Sequence, residues 1–198
     1  LTGNTTWISS KMHQQIIKKF SQCWVPDVET KPNLTGKLGH LENPDKNIQY
    51  IGPLSRLQKR NVEKKFDLMV ILSGPEPQRG MLEEKLKKEM PFYDRNVIFI
   101  KGKIENEQKT EEIGNVKYYN FMTTEELETA FNESEMVLCR SGYTTIMDLA
   151  QLGKKAFFIP TPGQYEQEYL AKKLQKEGLV PFSKQNDLYN LQIEEQEL

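Results

Sequence analysis

Several things are scarce in this 198-residue chain. Two cysteines and two histidines are too few, and too scattered, to assemble a zinc site by spacing. Cys23 and Cys139 each fall inside an apolar, strand-like run and are expected as reduced interior residues rather than a disulfide. No stretch approaches the roughly 18 apolar residues that a membrane span needs. The opening LTGNTTWISS lacks the basic start and apolar middle of a signal peptide. With no export signal, a cytoplasmic location is expected, and the Asn-x-Ser/Thr triplets at Asn4, Asn33 and Asn132 carry no meaning. Neither sign of charge is in excess: 27 Lys and Arg stand against 28 Asp and Glu, a net charge of -1. Nothing in that balance draws the chain to nucleic acid or an anionic membrane, so partners must be argued from local sites. There is no Walker or GxGxxG pattern, so nucleotide hydrolysis and dinucleotide binding lack support. No Asp-x-Asp triplet occurs either, and neither a metal nor another cofactor is expected.

What is present is an alternation. From Leu68 onward short apolar runs are separated by amphipathic segments. Strands are expected at 68–73, 96–102, 115–121, 136–141 and 155–160, where apolar residues run without period-two alternation. Helices are expected at 78–90, at 123–134 behind a Thr N-cap and an acidic first turn, from Tyr143 to Gly153, and at 166–178. The polar stretch 103–114 predicts an exposed loop. Continuous apolar strands alternating with helices predict a parallel sheet covered on both faces, an α/β Rossmann-like doubly wound domain. The first 56 residues break the rhythm, with a possible helix at 8–20, a short strand in QCWVPD, a Pro/Asn/Gly-rich stretch at 26–47, and QYIGPLSR. They are expected to be the tail of an upstream domain plus a linker, with the nucleotide-binding domain at 57–198.

The strand ends carry the chemistry. Ser73-Gly74, Lys101-Gly102, Asn120-Phe121, Arg140-Ser141-Gly142 and Thr161-Pro162-Gly163-Gln164 each follow an expected strand. In an open parallel sheet such loops face one crevice. After Ser141-Gly142 a helix begins, and its first N–H groups suit a phosphate or diphosphate. Gly142 would let the backbone approach an anion, with Ser141, Thr144 and Thr145 adding hydroxyls. Asp148, two turns on, could accept both ribose hydroxyls. Arg140 and Arg56 could each reach a diphosphate, and Gln164, Gln167 and Glu168 suit sugar hydroxyls. Each residue also has a plainer reading: helix N-cap, solvated helix acid, surface ion pair. Their coincidence on one strand–helix turn favours a nucleotide site.

The run CRSGYTTIMDLAQLGKKAFFIPTPGQYEQEYLAKKL resembles the C-terminal, donor-binding domain of glycosyltransferase family 28, the MurG-like N-acetylglucosaminyl transferases of two-domain GT-B architecture. The resemblance covers roughly the last three-quarters of the chain. It implies that Arg140, Ser141 and Gly142 meet a donor diphosphate and that Asp148 holds the ribose of UDP. It further implies that Gln167 and Glu168 contact the sugar, that Arg56 is the interdomain arginine, and that Ser73-Gly74 is the loop after the first strand. The backbone near Phe121 and Met122 would receive the uracil edge. The chain departs from the family pattern in having SGPEP for GGSxG, Asp148 for Glu, and Glu168 for the second Gln. The implied function is a fragment of an inverting, metal-independent hexosyl or N-acetylhexosaminyl transferase using a UDP-sugar such as UDP-GlcNAc. Its base and acceptor site, for a lipid-linked or small acceptor, would lie in an N-terminal domain through which it could associate peripherally with a membrane. Two alternatives stand beside it: a non-catalytic nucleotide-sugar-binding subunit paired with a separate acceptor-binding protein, and a UDP-sugar 2-epimerase.

Overall fold

The structure, a computed structural model, describes residues 15–40 and 46–188. The chain divides into two compact units, Leu1–Leu54 and Ser55–Leu198. Within the first, strand β1 (Cys23–Val25) pairs in parallel with β2 (Ile48–Tyr50), Cys23 opposite Ile48. The stretch expected as a linker is organised, over its described residues, by one carboxylate. Asp27 is fully buried and accepts from the N–H groups of Val28, Leu34 and Thr35 and from the Thr35 hydroxyl, with His40 Nε2 at 3.2 Å. Most of the helix expected at 8–20 lies outside the described residues.

The second unit is built on six strands: β3 (Phe66–Ile71), β4 (Val97–Ile100), β5 (Thr110–Ile113), β6 (Val116–Tyr119), β7 (Ser134–Cys139) and β8 (Lys155–Phe158). Their order is β5-β6-β4-β3-β7-β8, parallel throughout except for β5. Three helices join strands of this sheet, α1 (Gln78–Glu89), α2 (Thr124–Glu133) and α3 (Tyr143–Leu152), and α4 (Tyr165–Lys176) follows β8. Leu68, Val70, Phe99, Val116 and Leu138 of the sheet pack with Leu82, Leu86 and Met90 in one fully buried cluster. The buried runs Leu68–Val70, Val97–Ile100 and Val137–Cys139 of β3, β4 and β7 are apolar whichever face they point to, as a sheet covered on both sides requires. Cys139 lies inside β7, and burial pushes its thiol up, out of the reactive range.

The helix starts follow their local signals. Thr123 caps α2 in a reciprocal box with Glu126, and Gly153 closes α3. The stretch expected as a loop at 103–114 is corrected, because β5 pairs antiparallel with β6 across the two-residue turn Gly114-Asn115. All four β5 residues are exposed, so the strand shows no apolar alternation. Its signal was the turn itself, a Gly-Asn pair between two segments able to pair.

Candidate functional site

The parallel strands run in space as third, second, first, fourth, fifth. The direction of winding therefore reverses between β3 and β7, and a ligand crevice is expected outside the carboxyl ends of those two strands. The loop after β3 carries Ser73 and Gly74, both exposed, with Gly74 at φ +99°. The turn after β7 is Arg140-Ser141-Gly142, and α3 starts from Gly142 with no side-chain cap on its first turn. Thr144 and Thr145 stand on that turn, exposed and half-buried. An uncapped helix start at a switch point is a place for an anion.

Asp148 lies farther down α3, half-buried, and its Oδ1 accepts from the Ser55 hydroxyl at 2.5 Å. Ser55 also receives the Leu57 N–H, so the segment leading into the sheet is tied to α3 beside the carboxylate. Arg56 sits between those two residues, exposed and without a partner among the described residues. The structure thus ties Ser55, the neighbour of Arg56, to Asp148, a link that sequence reasoning missed because Ser55 and Asp148 are 93 positions apart.

Arg140 overturns its expectation of direct contact with a diphosphate. It is 2% exposed. One guanidinium nitrogen donates to the carbonyls of Ile159 and Pro160, the other to the Gln78 carbonyl and to Gln185 Oε1 at 2.7 Å. Burial pushes its pKa down to about 10, so it stays charged at neutral pH. Among the described residues it has no carboxylate partner. It is a buried cation that clamps the ends of β7 and β8 to the start of α1 and to the turn at Gln185–Asp187. Ser141 is also corrected. Its residue is fully buried and its hydroxyl donates to the Gln167 carbonyl at 2.8 Å, so it holds the turn against α4 rather than facing a ligand.

The residues assigned to sugar hydroxyls are partly committed as well. Gln167 Oε1 accepts from the Thr161 N–H at 2.9 Å, and its amide nitrogen donates to Gln164 Oε1 at 2.6 Å. Glu168 Oε1 accepts from the Gly163 N–H, leaving its second oxygen. At the end of β6, Asn120 is buried and fastens the 105–109 stretch through Glu107 O and the Lys109 N–H. The Phe121 N–H goes to Asn120 Oδ1 and its carbonyl accepts from Gln108. The N–H and carbonyl of Met122 have no partner among the described residues, so of the two positions Met122 offers a donor–acceptor edge and Phe121 does not. Among the described residues no three His, Cys, Asp or Glu gather closely enough to hold a metal, and no helix is long and apolar enough to cross a membrane.

Residues 78–197 match the glycosyltransferase family 28 C-terminal domain. Two curated relatives are UDP-N-acetylglucosamine–N-acetylmuramyl-(pentapeptide) pyrophosphoryl-undecaprenol N-acetylglucosamine transferases. The one from Haemophilus ducreyi is 22% identical over 80% of this chain and 48% of its own length. The one from Acetivibrio thermocellus is 26% identical over 61% of this chain and 35% of its own. The chain therefore spans about half the length of one and a third of the other. Among solved structures, the glycotransferase of kitacinnamycin superposes with a TM-score of 0.61 at 14% identity, over 89% of this chain and 45% of that one. That likeness concerns the fold.

Proposed function

Because the chain belongs to glycosyltransferase family 28, through that family's C-terminal domain, we propose that it is the donor-holding half of a two-domain GT-B transferase that uses a UDP-sugar. The single observation that carries the reading is the β3–β7 reversal, where α3 starts from Gly142 without a side-chain cap and its Asp148 accepts from Ser55, the neighbour of Arg56. In this proposal the diphosphate lies over Gly142 and the first turn of α3, where backbone N–H groups and the helix dipole oppose its charge. Arg56 reaches it from the side. Arg140 contributes from beneath as a buried positive charge, without touching it. Asp148 takes the ribose hydroxyls through the lone pairs that Ser55 leaves free. The open edge of Met122 takes the uracil, and the remaining oxygen of Glu168 is assigned to sugar hydroxyls.

The reaction proposed is inverting. An acceptor hydroxyl attacks the anomeric carbon on the face opposite UDP, the glycosidic bond to the diphosphate breaks, and negative charge grows on the leaving UDP. Groups already aimed at that charge lower the barrier. The acceptor and the base that takes its proton are assigned to a second domain, which the curated relatives' greater length would accommodate. Their names support N-acetylglucosamine as the sugar and a lipid-linked acceptor. Calorimetric titration of the chain with UDP, GDP and ADP tests the donor. UDP should bind tightest, with EDTA making no difference. A preference for GDP would remove the uracil assignment at Met122, and strict Mg²⁺ dependence would remove the metal-free account of the diphosphate.

A further inference from the structure

Thr161 is out of keeping with its surroundings. It ends the β8 segment between Pro160 and Pro162, and it is 2% exposed. Its backbone is satisfied, because its N–H meets Gln167 and its carbonyl receives the Gln164 N–H. Its hydroxyl has no hydrogen-bond partner. Buried hydroxyls are normally paired, and an unpaired one destabilises the fold. Valine has the same branched shape and would fill the position without that cost. The hydroxyl points toward the site: a Cβ built on Gly74 would stand 3.8 Å from Thr161 Oγ1. The sheet order explains why. β7 lies between β3 and β8, so the loops after β3 and β8 close toward each other across the Ser141-Gly142 turn. Arg140 leads into the same spot. Its guanidinium holds the carbonyls of Ile159 and Pro160, and its Nε is a second buried donor without a partner.

We propose that the Thr161 hydroxyl is a donor held ready for a diphosphate oxygen, which reaches it when the 72–77 loop shifts at Gly74 and the donor settles over the β7 turn. Gly74 suits that movement: it is exposed, has no side chain, and sits at φ +99°. A hydroxyl unpaired in the free protein and paired in the complex trades stability for binding. This inference rests on the donor reading above.

The experiment compares wild type, Thr161→Val and Thr161→Ser for melting temperature and for affinity toward UDP, UMP and uridine. Thr161→Val should melt at or above wild type. It should weaken UDP about tenfold or more, the size of one hydrogen bond to a charged group, and leave uridine unchanged. Thr161→Ser should bind UDP like wild type. If wild type binds UDP and Thr161→Val binds it equally well, the hydroxyl has no role in binding and the inference fails while the donor reading stands. If Thr161→Val melts lower and loses UDP and uridine alike, the hydroxyl supports the fold and the inference is again overturned. If wild type binds none of the three nucleotides, both fall together.

Discussion

At the edge where the strands begin, polar groups are spent on one another. Asn132, 2% exposed, accepts the Arg60 N–H and donates to the carbonyls of Gln58 and Glu128. Lys64 and Lys154 both donate to the Asn132 carbonyl, and Lys154 also donates to Ser134 O at 2.6 Å. Glu128 takes the Gln58 N–H and pairs with Arg60. At the edge where the strands end, Arg140, Ser141, Gln167 and Asn120 form a frame of the same kind, paired within the protein except at Arg140 Nε. Above that frame lie groups that are not: Arg56, Ser73, the Met122 edge and the Thr161 hydroxyl. One sheet thus has a finished edge and an unfinished one. Folding alone favours the finished state for buried groups, and in the proposed function the donor lies where the unfinished ones gather.

The largest expected effect breaks the comparison from below. Arg140→Met removes the donors for three carbonyls and Gln185, and it should cost at least about 3 kcal/mol in denaturant melts. A variant that melts like wild type but loses UDP would return Arg140 to the ligand. Next is the ionic support under the β3 loop. Glu83, 1% exposed, is held by Arg79, Lys87 and Lys103. Burial raises its pKa, but the hydrogen bonds from Lys87, Arg79 and Lys103 outweigh that and lower it from 4.5 to about 2. Its folded pKa lies below its unfolded one, so its stabilisation is complete above about pH 4.5 and is lost as pH falls through 2. That amounts to about 3 kcal/mol, and acid-melting curves of Glu83→Gln should lack that slope.

A smaller effect tests the unfinished edge directly. Asp148→Asn should weaken UDP by about 1.5–3 kcal/mol, weaken 2′-deoxy-UDP by less, and leave the melting temperature near wild type. Lost stability with unchanged affinity would move Asp148 to the frame. A final test sharpens the finished edge. Burial first, then the neighbouring Lys64, lower the pKa of Lys154 from 10.5 to about 7; Lys59 acts in the same direction and Glu135 against it. Between those two values the unfolded chain holds a proton that the folded one does not, so stability should rise with pH. Thermal melts from pH 7 to 10 should show this rise in wild type and not in Lys154→Met. Equal slopes would mean that the amine titrates normally.

Most of the strands and helices were legible because their causes are local. Unbroken apolar runs such as LMVIL and VIFI mark strands buried on both faces, and Thr123 with Glu126 announces α2 within four residues. β5 was not legible from periodicity, since an exposed edge strand has no buried face to print a pattern. The site was legible as a set of positions and less so as a set of roles. Arg140, Ser141 and Gln167 have the right chemistry for a diphosphate and a sugar, but Arg140 and Ser141 are turned inward by neighbours that no local window contains.

The sequence by itself determined the α/β class, the places where strands give way to polar turns, and the helix beginning after Gly142. Each depends on residues a few positions apart, through side-chain periodicity, capping and turn geometry. Only the tertiary structure decided the order β6-β4-β3-β7-β8 and which of the strand-end groups remain open. Strand order is settled by which apolar faces can be covered together. A buried polar group finds its partner wherever packing places one: Arg140 meets Gln185 across 45 positions and Gln78 across 62. The Thr161 hydroxyl lies within reach of the β3 loop but has no such partner. No reading of Thr-Pro-Gly-Gln alone could show this, because it depends on every group that packing failed to bring there.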